Sequence, residues 1–363
     1  MKIFNSNDVL KVAKRLNNKK RNYLLVNPLQ GKHLPTKPSD ALEMMNSLGK
    51  MVAEKFSKAR LVIGFAETAT AIGAVVAKNI SNDCFYLQTT RENFSGEFVE
   101  FLEEHSHAPE QKLFVENFSA LINQTSEIIF VDDELSTGKT LLNIVRQLKN
   151  KFPALNDKKI CAASIINRLS EENIAKLLSE NISCVYLVKI NQNFDVENIF
   201  VEPAQIIEPI NKIIPSYKIN IASDPIRGVK IGNYFSQCEI CGDFLLNLKL
   251  SGEILILGTE EFMLPAIIAG RKLEINNFNV LTHSTTRSPI GISKNKNYPI
   301  QEGFKLRSFY DSTRTTYIYN LKRYDTAIIM TNSENFSIGL SDLIAALNFH
   351  GVNTIFLVAV KNV

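Results

Sequence analysis

Short apolar runs alternate with stretches of helical period along most of the chain. In the first half, 59–67 (ARLVIGFAE) reads as a strand entering a loop, and 68–80 (TATAIGAVVAKNI) as the helix behind it. Residues 83–90, 126–134, 158–168 and 181–190 read as further strands, with a helix over 138–150. The second half repeats the rhythm, with strands over 252–261, 278–287, 325–334 and 353–360 and helices over 262–273 and 337–351. Nearly continuous apolar strands separated by helices predict a parallel sheet covered on both faces. The expected fold class is α/β: a parallel-sheet domain followed by a second α/β domain.

Between 208 and 230, Pro209, Pro215 and Pro225 interrupt any helix and Gly228 allows a turn. Domains over 1–215 and 225–363 are expected on either side. Details recur across this break. Gly64 and Glu67 follow the first strand of one half, Gly258 and Glu261 that of the other. Thr89-Thr90-Arg91 recurs as Thr285-Thr286-Arg287. Aligning Gly138 with Gly339 sets Asp132-Asp133 opposite Ser333-Glu334. The second half thus reads as a divergent copy of the first. Different strand orders in the two sheets would end that reading.

Composition narrows the class. A chain of 363 residues has room for two domains. Hydrophobic residues at 45% and charged residues at 21% exclude a disordered chain. A net charge of +4, evenly spread, does not make a general nucleic-acid binder. No apolar run approaches the ~20 residues of a membrane helix, and the first residues lack the apolar core of a signal peptide. With 5 cysteines and no disulfide framework, the expectation is a soluble cytoplasmic protein. Cys238 and Cys241 form a lone CxxC, with no second ligand pair for zinc, and read as structural.

The sharpest chemical feature is IIFVDDELSTGKT, 128–140. An apolar strand delivers Asp132 and Asp133 to a turn of Ser136, Thr137, Gly138, Lys139 and Thr140 that opens a helix. Gly138 lets backbone approach a ligand closely. Amides at a helix start attract phosphate, and the hydroxyls add donors. The two carboxylates suit the hydroxyls of a sugar diol. A 5-phosphorylated ribose fits both halves of the element. The segment is not a nucleoside-triphosphate loop, because that pattern needs glycine where Asp133 stands.

This element resembles the phosphoribosyl pyrophosphate motif of type I phosphoribosyltransferases. Thr286-Arg287-Ser288-Pro289, together with 26–35, 103–109 and 314–320, resembles a narrower group over nearly the whole chain. That group joins an orotate-phosphoribosyltransferase-like domain to a TRSP domain and is associated with bacterial tellurite- and stress-response gene clusters. The resemblance implies a phosphoribosyltransferase using phosphoribosyl pyrophosphate and Mg²⁺ on a nucleobase-like acceptor, or the reverse cleavage, in synthesis of a nucleoside-like metabolite. Asp132 and Asp133 would orient the ribose and meet Mg²⁺ through water. Ala66, Glu67, Thr68, Ala69 and Thr70 would offer amides to pyrophosphate, and Arg91 would add charge. A long mobile loop over 92–126 would close on the site, bringing His105 or His107 to the leaving group; the alternative is a solvated pair. Lys32 and His33 are expected to reach base or phosphates, or else to lie in a plain surface loop. Glu260, Glu261, Thr286, Arg287, Ser288 and Arg314 are expected to form a second phosphate or nucleotide site, or salt bridges between domains. A non-catalytic phosphoribosyl pyrophosphate- or nucleotide-binding regulator is the alternative function. Type I enzymes often pair, so a homodimer is a further expectation.

Overall fold

In the computed structural model, which describes residues 2–16, 18, 21–101 and 111–362, the strands form two separate parallel sheets. The first uses β1 (Ala59–Gly64), β2 (Phe85–Gln88), β5 (Glu127–Leu135), β6 (Lys159–Asn167) and β7 (Ile182–Lys189), between which lies a ribbon of β3 (Phe98–Phe101) and β4 (Gln111–Phe114). The order is β2-β1-β5-β6-β7, every neighbour parallel, with a two-residue strand at 229–230 added antiparallel beside β2. Helices α1 (Thr70–Ile80), α2 (Phe118–Asn123), α3 (Lys139–Lys151) and α4 (Glu171–Ser179) connect the strands. Leu61, Val62 and Ile63 are all buried because both faces of β1 are covered. On α3, Leu141, Leu142, Ile144, Val145 and Leu148 form the inward stripe. A methyl group on Gly73 of α1 would lie 2.8 Å from the Gly64 Cα, so two glycines set the close approach of α1 to β1.

The second sheet uses β8 (Ser216–Ile221), β9 (Glu253–Gly258), β10 (Asn279–Ser284), β13 (Thr326–Thr331) and β14 (Thr354–Asn362). Its chain also carries α5 (Ile231–Leu246), α6 (Leu264–Ile275), an antiparallel ribbon of β11 (Gly303–Arg307) and β12 (Thr315–Tyr319), and α7 (Ser337–Phe349). The order is β10-β9-β13-β14-β8, all parallel. Alternate residues feed opposite faces: Leu255, Leu257 and Ile329 join one core cluster, Ile254, Ile256 and Ile328 the other.

Four strands follow the same order in both sheets, which agrees with the duplication reading over those four. The fifth position differs in origin. β7 follows β6 in the chain, whereas β8 precedes the rest of its sheet. The ribbons also correspond, each inserted between the second and third strands of its sheet.

Packing groups the chain into two units that interleave in sequence. One contains Leu42–Gln192 and Ser223–Ser236; the other contains Asn7–Ala41, Asn193–Ala222 and everything from Gln237 on. A single break between 215 and 225 cuts along the sequence, but 7–41 packs in the second unit. There the hairpin Lys11–Lys14 with Tyr23–Val26 buries Ala13 and Val26 in a cluster with Ile290, Ile300 and Tyr319.

The described parts of the expected loop, 92–101 and 111–126, include regular elements. They hold β3, β4 and α2, and Val99, Phe101, Leu113 and Phe118 enter the main core cluster of the first unit. Two four-residue apolar runs flanking a polar stretch carry too little periodicity to be read as strands. His105 and His107 lie outside the described residues.

Cys238 and Cys241 are buried on α5. Burial pushes the Cys241 thiol up to about 11 and Cys238 well above the usual range, so neither is a ready thiolate. Among the described residues no helix is long and apolar enough to cross a membrane.

Candidate active site

In a sheet of this order the first and third strands are neighbours whose crossovers leave in opposite directions, and a crevice opens beyond their carboxyl ends. In the first unit these strands are β1 and β5, with Gly64 beside Val131. Past Gly64 runs the loop 65–69; past Val131 come Asp132 and Asp133, still within β5 and half-buried. Thr68 donates its hydroxyl to Asp133 Oδ1 at 2.8 Å and so ties the 65–69 loop to the end of β5. The Asp133 amide donates to Asp132 Oδ1 at 2.9 Å, which fixes one carboxylate against the next residue's backbone.

Other bonds shape the β1 loop. The Ala66 amide donates to Thr89 Oγ1 at 2.8 Å, and Thr89 in turn donates to Gln111 Oε1 at 2.5 Å. The Ala66–Glu67 peptide is cis. Thr90 and Lys112 exchange backbone bonds of 2.9 and 2.8 Å, pinning the β3–β4 ribbon to the end of β2. Arg91, 8% exposed, follows directly. Ala66 to Thr70, Arg91, Asp132 and Asp133 therefore all stand at the carboxyl ends of three adjacent strands, β2, β1 and β5.

The turn 136–140 lies at the start of α3. Gly138 adopts φ +73° as the residue before the helix, and the Lys139 amide reaches Thr137 Oγ1 at 3.4 Å. Ser136, Thr137 and Thr140 are half-buried and Lys139 is exposed. Gly138→Ala puts a side chain into left-handed backbone and 3.2 Å from Leu169 Cδ2. It should cost about 1–2 kcal/mol by urea denaturation.

Lys32 and His33 pack inside the second unit. Lys32 is 0% exposed, and its ammonium donates to the carbonyl oxygens of Glu260 at 2.6 Å and Thr285 at 3.0 Å. Buried beside it, His283 places Nε2 2.8 Å from the Tyr319 carbonyl oxygen. Burial, aided by the Lys32 charge, lowers the His283 pKa to about 4. The unfolded ring takes its proton near 6.5. Between these values the unfolded chain binds more protons, so stability should fall as pH drops through that window. Thermal melts across it should show a shallower slope for His283→Gln.

The second unit has the same crevice with different occupants. Thr89 donates its amide to the Gly64 carbonyl at 3.0 Å; Thr285 does so to Gly258 at 3.2 Å. The Glu260 amide donates to Thr285 Oγ1 at 3.0 Å, as Ala66 does to Thr89. Thr286 and Tyr317 of the β11–β12 ribbon exchange bonds of 2.9 and 2.7 Å, as Thr90 and Lys112 do. Glu260 therefore stands at the Ala66 position and Arg287 at the Arg91 position. By register Gly258 lies beside Met330, which sets Thr331-Asn332 where Asp132-Asp133 stand. This corrects the pairing with Ser333-Glu334. That alignment equated two glycines of different roles: Gly138 precedes its helix, whereas Gly339 lies inside α7. Asn332 accepts from Tyr310 at 2.6 Å, and Thr259 donates to Thr331 at 2.9 Å. No carboxylate pair faces this crevice at the position of the first one.

Glu260, 0% exposed at φ +48°, gathers the remaining polar groups. Arg287 Nε donates to its Oε2 at 2.7 Å, Arg314 Nη1 to the same oxygen at 3.5 Å, and Ser308 to Oε1 at 2.6 Å. Arg287 also lies 3.6 Å from Glu261 Oε1. Thr286 is buried and Ser288 half-buried behind them. Arg287 and Arg314 thus pair within the second unit. The sequence reading did not single out Thr89, Gln111 or Ser308; the recurrence of Thr-Thr-Arg was the one available signal for the first.

A sheet of this order places its ligand crevice at the switch point, where this carboxylate pair stands. The phosphoribosyl transferase family matches residues 9–191, and the TRSP domain found C-terminal to it matches 235–347. The chain belongs to this phosphoribosyl transferase family. A comparison with curated protein sequences gives no match. Similar solved structures include orotate phosphoribosyltransferase from Aeropyrum pernix, at 16% identity and TM-score 0.33, covering 51% of this chain and 89% of that one. Adenine phosphoribosyl transferase from Trypanosoma brucei, in complex with AMP, pyrophosphate and ribose-5-phosphate, shows 11% identity and TM-score 0.36, covering 53% of this chain and 84% of that one.

Proposed function

We propose that the first unit transfers a phosphoribosyl group from phosphoribosyl pyrophosphate to a nucleobase-like acceptor, with Mg²⁺, or runs the reverse cleavage. The observation that carries this is the Thr68–Asp133 bond, which places the β1 loop and the acidic pair on one crevice. In this reading the turn 136–140 binds the 5-phosphate, and Asp132 and Asp133 accept the ribose hydroxyls. The amides of 66–70 and Arg91 meet the pyrophosphate. Holding the leaving group and the ring in line is most of the catalysis, since the transition state is dissociative and cationic at C1. His105 or His107 would pass a proton to the leaving group.

Two adjacent, half-buried carboxylates are hard oxygen donors and fit Mg²⁺ held mainly by substrate oxygens and water. Asp132 and Asp133 would hold it, and it would supply positive charge to the departing pyrophosphate. The test is pyrophosphate release from phosphoribosyl pyrophosphate across a panel of bases, with and without Mg²⁺. Turnover with one base supports transfer. Binding without turnover against every base would make the unit a regulator instead.

A further inference from the structure

We propose that the second crevice is an anion site already filled by the chain's own Glu260 carboxylate, and that removing this side chain opens it to a pyrophosphate-class anion. Two strand ends that share several backbone bonds differ at two positions, the acidic pair and the residue at 66/260. Position 66 is an uncharged alanine beside the acidic Glu67, whereas the matching Glu260 adds a carboxylate beside the acidic Glu261. That carboxylate lies where the first crevice, in the reading above, would take pyrophosphate. Its partners are those an oxyanion ligand would recruit: two guanidinium groups at 2.7 and 3.5 Å and a hydroxyl at 2.6 Å.

Two further observations show that the carboxylate is held as a ligand would be. Glu260 is 0% exposed, so it is not a surface acid that happens to meet an arginine. Its backbone sits at φ +48°, a region that L side chains rarely adopt. Lys32 adds a fully buried cation on the Glu260 and Thr285 carbonyl oxygens. Thr331 and Asn332 stand in place of the acidic pair, so this position has no carboxylates to offer a ribose diol. The second unit therefore keeps the anion-holding half of the site, occupied from within, and has lost the sugar-holding half.

The inference rests on the β1 loop of the first crevice being a pyrophosphate cradle, and the experiment separates the two readings. Inorganic pyrophosphate is titrated calorimetrically into the full chain and into Glu260→Gly, the residue that relieves the left-handed backbone as it removes the carboxylate. The variant should bind one more pyrophosphate per chain than the wild type. That extra site should vanish in Glu260→Gly/Arg287→Met. If the wild type binds none and the variant one, the first-crevice reading fails and this one stands. Equal site counts in wild type and variant, two sites in the wild type, or an extra site that survives loss of Arg287 would overturn it. Should Glu260→Gly not fold, Glu260→Ala carries the same count, and two sites in the wild type alone would still refute the proposal.

Discussion

Asp133→Asn will lose about 10²-fold or more in turnover with phosphoribosyl pyrophosphate, the scale on which one preorganised polar group acts on a charged transition state. Its stability will change by only about 1 kcal/mol. Asp133 is half-buried near the carboxyl end of β5, and its Thr68 bond ties that strand end to the 65–69 loop rather than joining two core elements. An asparagine keeps an oxygen for that bond, so the fold is little disturbed while the charge proposed to meet the ribose is gone. Steady-state kinetics beside urea denaturation read both quantities. Parallel losses would mean that the acid braces the loop and nothing more.

Arg287→Met will act in the opposite sense, on the fold. Glu260 has no exposure to water, so its charge is tolerated only through its partners. Breaking a buried pair by removing one member costs about 3–5 kcal/mol. The midpoint of urea unfolding should drop accordingly, while turnover at the first crevice, measured below that midpoint, stays near the wild-type value. The double variant Glu260→Gly/Arg287→Met should recover part of the loss, because it removes the stranded charge as well. A double-mutant cycle measures that coupling.

Much of this organisation is legible in the residues. The apolar runs of β1, β5, β9 and β13 mark strands covered on both faces, and the Asp132-Asp133 and Ser136–Thr140 segments mark a site at the end of one of them. Two kinds of information are not legible. Short pairs such as Phe98–Phe101 with Gln111–Phe114 become strands only by pairing with each other, and each run alone is too short to show a period. Partners distant in sequence are equally silent. Lys32 in a glycine-bearing loop suggests a ligand contact, yet it caps carbonyl oxygens that no local pattern announces. The repeat misled at one place for a related reason. Gly138 and Gly339 look equivalent by spacing, but only backbone register reveals that one precedes a helix and the other lies within it.

The return of 7–41 to the second unit has a consequence for biosynthesis. Lys32 emerges 228 residues before Glu260, whose carbonyl it caps. At about 5–20 residues per second, that is a delay on the order of 10–50 s. During it the early hairpin is already made, while Ile290, Ile300 and Tyr319, which share its cluster, are still to be translated. The sheet of the first unit has all five of its main strands by Lys189 and so is free to form in the interval. A chain cut after 215 would hold all five main strands of that sheet and an apolar hairpin without its cover, the kind of surface that holdase chaperones bind.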